Sequence, residues 1–237
     1  MSSFVFDGKE KDYFVCAIVA AAGNSTRMQG TDKQFLSLDG VPVLAKSISV
    51  LEKSDCIDEI IVCVRRDVVD DVKKLVKDFN FTKVVCVCEG GSTRVESVKN
   101  AIKNCSEKTD ILAIHDGARP FVTEETVRKT VEAACEFGAA ACAVKVKDTI
   151  KQTNENSVVT STPPRGSLWA VQTPQVFSFK KYKNALGSAP DGVTDDCMIV
   201  EAAGQRVKLV EGEYTNIKIT TPDDIIVARA IAKGRGE

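Results

Sequence analysis

Two spacings of apolar residues alternate along the chain. Short, nearly unbroken apolar runs predict strands buried on both faces. They fall at residues 16–20, 57–64, 83–88, 110–114 and 139–146, and residues 168–177 return to the core. Between them, apolar positions recur at helical spacing. Val43, Leu44, Ser47, Ile48 and Leu51 mark a helix at residues 43–53, with Pro42 near its first turn. Residues 68–79 form an amphipathic helix, and another runs to about Asn104 from a cap at Ser92 or Thr93. Thr123 caps the next, with Glu124 and Glu125 at its positive end. Further helices follow at residues 178–186, from a cap at Thr194 or Asp195 to near Gly204, and from Thr221-Pro222-Asp223-Asp224 onward. Strands are also expected at residues 206–211 and 214–219.

This alternation predicts an α/β fold of Rossmann-like type, a mostly parallel sheet with helices on both faces. No repeat, low-complexity tract or linker divides it, so residues 1–237 are expected to be one domain. Residues 147–165 break the rhythm. They are β-prone and polar on both faces, with a turn at Asn154-Glu155-Asn156. They read as a projecting hairpin, a β-arm, or else as a mobile surface loop. A protruding hairpin with an apolar edge commonly packs on a second subunit.

Net charge is −1 with 27% charged residues and no block of one sign, which gives no support for nucleic-acid or membrane-surface binding. No run approaches the ~20 apolar residues of a membrane span. The first residues carry early acids and no signal-peptide pattern. Nine cysteines without a C-x-x-C pair argue against a zinc site or a disulfide framework. Cys86 and Cys88 would point to one strand face and pack there. Cys16, Cys63 and Cys142 lie in apolar runs. A reducing, cytoplasmic compartment is expected.

The chemistry gathers at strand ends. In residues 16–35 a strand runs into Ala21, Ala22 and Gly23, where a flat ring can approach the backbone. Tight packing would explain the small residues equally well. Arg27 and Lys33 follow. Similar loops at residues 90–94 and 115–119 end the next strands, and ligands of such sheets bind at those ends. Arg27, Lys33, Arg94, Arg119, Arg165 and Lys218 would suit a nucleotide with several phosphates, usually with Mg2+. No nucleophile–base pair stands out, and His115 reads as a loop-orienting residue. A site rich in cations and poor in bases fits phosphoryl-type transfer.

Six motifs in order, AAGNSTRM, DKQF, GGSTRVESV, HDGARPFV, LWAVQTPQVF and EYTNIKITTPDD, resemble the 2-C-methyl-D-erythritol 4-phosphate cytidylyltransferase family over about residues 14–232. The resemblance implies a nucleotidyltransferase that joins CTP to methylerythritol phosphate with Mg2+ or another divalent cation, as a homodimer through the β-arm. It implies Arg27, Lys33 and Lys218 as catalytic cations. Ala21, Ala22 and Gly23 would lie against the cytidine, and Gly91, Ser92 and Ser97 would read the cytosine. Asp116 would sit near the ribose, the metal or the second substrate. Arg119, Thr173, Thr149 and Arg165 would hold methylerythritol phosphate, the last two from the neighbouring subunit's arm. The metal's own ligands are not implied, beyond the triphosphate itself.

Two positions depart from the family pattern. Ser25 stands where Gly is frequent, and Asp32 stands where Pro often precedes the lysine. Ribitol-5-phosphate cytidylyltransferase is the nearest rival, but Ala118 and Trp169 fit the methylerythritol enzymes better than the Val and Tyr of the ribitol family. A non-catalytic nucleotide-binding module would be expected to lack some of the three cations.

Overall fold

The computed structural model describes residues 2–6, 9–23 and 34–235. β1 (Ser2–Phe6) and β2 (Lys9–Tyr13) form an antiparallel hairpin. β3 (Val15–Ala21) follows, then a two-strand ribbon, β4 (Ser37–Leu38) and β5 (Val41–Pro42). Next come α1 (Val43–Lys53), β6 (Glu59–Val64), α2 (Val69–Asp78), β7 (Val84–Glu89), α3 (Arg94–Ile102) and β8 (Ile111–Asp116). The chain continues through α4 (Glu124–Phe137), β9 (Ala139–Lys145), β10 (Gln152–Thr153), β11 (Val159–Ser161) and β12 (Trp169–Ser178). α5 (Phe179–Leu186), α6 (Cys197–Ala202), β13 (Lys208–Glu211) and α7 (Pro222–Arg235) complete it.

Seven strands make the main sheet, in the order β13-β9-β12-β8-β3-β6-β7. Neighbours are parallel except at β12, which runs antiparallel to both β8 and β9. The continuous apolar run of β3 has a direct cause. Val15, Ala17, Val19 and Ala21 enter a core shared with α1, α2 and α4, while Cys16 and Ile18 enter one shared with α3, α5 and α6. With helices on both faces, every position of the strand is buried except Ala20, which is partly open at the cavity. Cys86 and Cys88 pack against the second core, as their spacing predicts.

The helix ends follow sequence signals. Thr93 Oγ1 accepts from Glu96 N–H at 3.1 Å and Thr123 Oγ1 from Thr126 N–H at 3.3 Å. Pro222 opens α7, where Asp224 Oδ2 accepts from the N–H and hydroxyl of both Thr220 and Thr221. α4 ends at Gly138, whose φ of 85° favours glycine.

Three expectations need correction. Residues 214–219 form no strand. The segment turns at Asn216 N–H to Glu213 C=O and is tied to the β8 loop through Ile219 N–H to Ala118 C=O, so its polar groups serve that loop and not a ladder. Residues 169–171 of β12 stand outside the core, with Ala170 and Val171 exposed, and only residues 172–177 are buried. β8 continues through His115 and Asp116, which places both in the sheet. The β1–β2 hairpin was not anticipated. Its signal is the Asp7-Gly8 pair after the β-prone Phe4-Val5-Phe6, while the charged residues 9–12 gave no strand pattern.

Residues 147–165 contain a small hairpin, β10–β11, in which the strands pair only with each other and stand exposed. Asn154 Oδ1 accepts from Asn156 and Val158 N–H and so closes the predicted turn.

Thr123→Ala should cost about 1 kcal/mol of stability, read as a fall of roughly 2–4 °C in the unfolding midpoint. No measurable shift would mean that the Thr126 N–H finds another acceptor.

Candidate active site

From β3 the chain moves outward to β6 and β7, then crosses back to β8 on the opposite flank. Crevices beyond the carboxyl ends at such a switch are where ligands bind. A cavity of about 620 Å3 lies there, lined among others by residues 20–23, Glu89, residues 90–94, Asp116, Gly117, Ala118 and Lys218.

Small residues let three loops meet. A Cβ on Gly90 would strike Ala22 Cβ and lie 2.9 Å from Ser97 Oγ. One on Gly117 would lie 2.9 Å from both Ala21 Cβ and Leu44 Cδ1. Close backbone approach thus explains the glycines at both places. Ser97 Oγ accepts from Gly91 N–H at 3.0 Å and donates to Thr93 C=O at 2.8 Å. Glu96 Oε2 takes the N–H and hydroxyl of Ser92 at 2.8 and 2.6 Å. The Gly91–Ser92 turn is therefore held from α3, with its backbone at the cavity wall.

The cavity's charges converge on Asp116. Arg94 Nη1 reaches Asp116 Oδ1 at 2.8 Å, and Lys218 Nζ reaches Oδ2 at 2.8 Å. Arg119 Nε lies 3.5 Å from Oδ2. Burial alone would raise this carboxyl's pKa, but Arg94, Lys218 and Arg119 overcome it and hold the pKa far below the usual range. Asp116 is ionised at any working pH. Arg94 is anchored a second time: its Nε and Nη2 bind Asp196 Oδ2 at 2.9 and 2.6 Å. Burial opposes its charge, and Asp196 and Asp116 more than offset that. Tyr182 donates to Asp196 Oδ1 at 2.7 Å, and Gln175 Oε1 accepts from Asp196 N–H at 2.9 Å. Arg119 Nη1 donates to Asn216 C=O at 2.7 Å, which ties the far loop to β8.

Beneath Asp116 runs a neutral relay. Thr173 Oγ1 accepts from Asp116 N–H at 3.0 Å and lies 3.0 Å from His115 Nδ1, while His115 Nε2 lies 3.1 Å from Arg119 C=O. A carbonyl can only accept, so Nε2 carries the proton and Nδ1 accepts from Thr173. Burial lowers the His115 pKa to about 4, against a raising effect from Asp116. His115 thus orients the β8 loop, as the sequence suggested.

Eight of the expected site residues line this cavity: Ala21, Ala22, Gly23, Gly91, Ser92, Ser97, Asp116 and Lys218. Arg119 and Thr173 sit behind it, against Asp116. Thr149 and Arg165 are exposed on the arm and do not line it, and Arg165 Nη1 donates to Lys147 C=O at 2.8 Å. Arg27 and Lys33 lie outside the described residues. Gly23 and Gln34, on either side of that segment, both line the cavity. Sequence reasoning missed Arg65 and Arg66 on the wall and Asp196 as an anchor. The arginines follow the carboxyl end of β6, so the strand-end rule would have found them. Asp196 looked like one more acid in a turn.

For a divalent metal, the described lining offers Asp116 and the exposed Glu89 as carboxylates. Both Asp116 oxygens already face cations. This donor set does not make a protein-held Mg2+ site.

An open, mostly parallel sheet with a cation-lined crevice at its switch point has the fold and charge that nucleotidyl transfer requires. Comparison with known proteins gives the particular kind. The sequence model of IspD, 2-C-methyl-D-erythritol 4-phosphate cytidylyltransferase, matches residues 15–234. Enzymes of that name from Alkaliphilus oremlandii and Caldanaerobacter subterraneus are each 44% identical to this chain. The matches cover 93% and 90% of it, and 95% and 96% of those relatives. The crystal structure of 4-diphosphocytidyl-2C-methyl-D-erythritol synthase from Anaerococcus prevotii superposes with a TM-score of 0.84 at 33% identity, covering 93% of this chain and 96% of that one. The Thermus thermophilus cytidylyltransferase superposes with a TM-score of 0.74 at 30% identity over 94% of this chain and all of its own. The chain belongs to the 2-C-methyl-D-erythritol 4-phosphate cytidylyltransferase family of isoprenoid biosynthesis, and the ribitol alternative is not favoured. No described helix is long and apolar enough to cross a membrane.

His115 is the chain's one histidine, so a single imidazole resonance reports on it. It should stay unshifted from about pH 8 to 5, and titration near the ordinary 6.5 would contradict the buried relay. The unfolded imidazole takes up a proton that the folded one refuses until about pH 4. Its contribution to stability is therefore whole above about pH 6.5 and is lost as pH falls toward 4.

Proposed function

We propose that CTP and 2-C-methyl-D-erythritol 4-phosphate meet in this cavity, and that Lys218, Arg27 and Lys33 stabilise the charge that builds at the α-phosphorus. A 4-phosphate oxygen attacks the α-phosphorus of CTP in line. The bond to the β-phosphate bridge breaks, and pyrophosphate leaves with the electron pair. The products are 4-diphosphocytidyl-2-C-methyl-D-erythritol and pyrophosphate. The attacking phosphate is already ionised, so the protein need not supply a base. The observation carrying this reading is Lys218: its side chain is 38% exposed to the cavity while its Nζ is fixed 2.8 Å from buried Asp116. A cation held in place before the phosphates arrive needs little reorganisation as charge develops.

In the same reading Ala21, Ala22 and Gly23 take the cytidine, and Gly91, Ser92 and Ser97 border the base. Arg119 and Thr173 hold methylerythritol phosphate from beneath. Any Mg2+ is carried mainly by the triphosphate. Thr149 and Arg165 stand away from their own chain's cavity, which supports their service to a partner's site in a homodimer joined by the arms. One domain spans the chain. Nine free cysteines accord with a cytoplasmic setting.

Pyrophosphate release with CTP and Mg2+ tests the reading, comparing methylerythritol 4-phosphate with ribitol 5-phosphate. Turnover with the first alone is expected, and preference for ribitol phosphate would overturn the assignment. Lys218→Ala and Lys33→Ala should each lower kcat roughly 10²-fold or more. Near-normal turnover in a folded variant would remove that residue from the mechanism. Arg165→Ala should raise KM for methylerythritol phosphate more than for CTP. Equal effects on the two would argue against its assignment.

A further inference from the structure

At the opposite end of the sheet from the cavity, three side chains distant in sequence come together. Cys16 is the second residue of β3 and Glu59 the first of β6, and the two are register partners in the parallel pair. Cys105 lies just beyond α3. Cys16 Sγ and Cys105 Sγ are 3.5 Å apart, and both lie within 4.8 Å of a Glu59 carboxylate oxygen. Sulfur and oxygen ligands of a tetrahedral Zn2+, at about 2.3 and 2.0 Å from it, stand about 3.5–3.8 Å from one another. The sulfur pair is at that spacing already, and a small adjustment brings in the carboxylate.

The environment favours the same occupant. Glu59 is 7% exposed, and one of its oxygens accepts from Ser106 N–H at 2.8 Å. Among the described side chains, which begin at Asp12, no Lys or Arg pairs with it. A buried carboxylate without a counter-ion is costly, and a divalent cation removes that cost. Cys105 is only partly buried, which leaves room for a water as fourth ligand. The absence of a C-x-x-C pair in the sequence speaks only to ligands close along the chain. These come from positions 16, 59 and 105.

We propose that Cys16, Glu59 and Cys105 form a site for a thiophilic divalent cation of the Zn2+ class, which clamps the end of α3 to the first residues of β3 and β6. Binding converts two thiols to thiolates and releases their two protons to solvent. Because each thiol gives up its proton to the metal's advantage, uptake strengthens as pH rises. The site is separate from the cytidylyl-transfer cavity and does not depend on the reading of that cavity.

The test uses the full chain, reduced and stripped of metal with a chelator, then titrated with Zn2+ and with Cd2+. One equivalent should bind, Cd2+ giving a thiolate charge-transfer absorption. The unfolding midpoint should rise by about 5–10 °C at Zn2+ 100-fold above its Kd. Cys105→Ser should abolish the absorption and weaken Zn2+ binding at least 100-fold, with pyrophosphate release unchanged. Glu59→Gln should weaken binding but keep the absorption. Because Cys16 is fully buried, Cys105→Ser is the deciding variant and circular dichroism its fold control. No saturable binding would overturn the site. So would an absorption that survives Cys105→Ser, or a peptide map of the untreated chain showing Cys16 and Cys105 joined as a disulfide.

Discussion

A carboxylate with almost no access to water governs this structure. Asp116 ends the strand beside β3 at the point where the fold opens a crevice. A lone buried carboxylate there would be several kcal/mol unfavourable, so cations must come to it. They come from three parts of the chain: Arg94 from the start of α3, Arg119 from the turn after β8, and Lys218 from the irregular segment before α7. Each draws its own segment inward. Arg94 is clamped between Asp116 and Asp196, Arg119 holds the Asn216 carbonyl, and Ile219 N–H bonds Ala118 C=O. One ion cluster therefore closes the cavity wall and fixes the positive edge at which a triphosphate would sit.

The same cluster explains why conspicuous polar groups have quiet tasks. The polar atoms of His115 and Thr173 engage one another and the backbone on either side of Asp116. They hold the backbone that carries Asp116 and Arg119. Burying a neutral imidazole beside two arginines costs less than burying a charged one, and both of its nitrogens are satisfied. Gly90 and Gly117 act similarly by leaving room, since side chains there would push apart the loops that the ion pairs draw together.

Much of this was legible in the sequence. Apolar runs buried on both faces gave the parallel strands, and Thr93, Thr123 and Pro222 marked helix starts because capping is local chemistry. Strand-end glycines and cations pointed to the edge of the sheet where the cavity lies. What remained hidden depends on long-range pairing. Asp196 gains meaning only when Arg94, 102 positions away, folds onto it. Residues 214–219 alternate like a strand, yet Asn216 and Lys218 are engaged by β8 and its loop, so the ladder never forms. Cys16, Glu59 and Cys105 show no motif because three separate elements supply them.

The chemistry of the crevice depends on what Asp116 does for its cations. The most direct measurement compares CTP binding and pyrophosphate release for the wild-type chain and Asp116→Asn, an isostere that keeps the shape and removes the charge. If the carboxylate fixes Lys218 for transition-state stabilisation, turnover falls by roughly 10²-fold or more, while CTP affinity changes far less because the positive groups remain. A folded Asp116→Asn protein that releases pyrophosphate at close to the wild-type rate would contradict it.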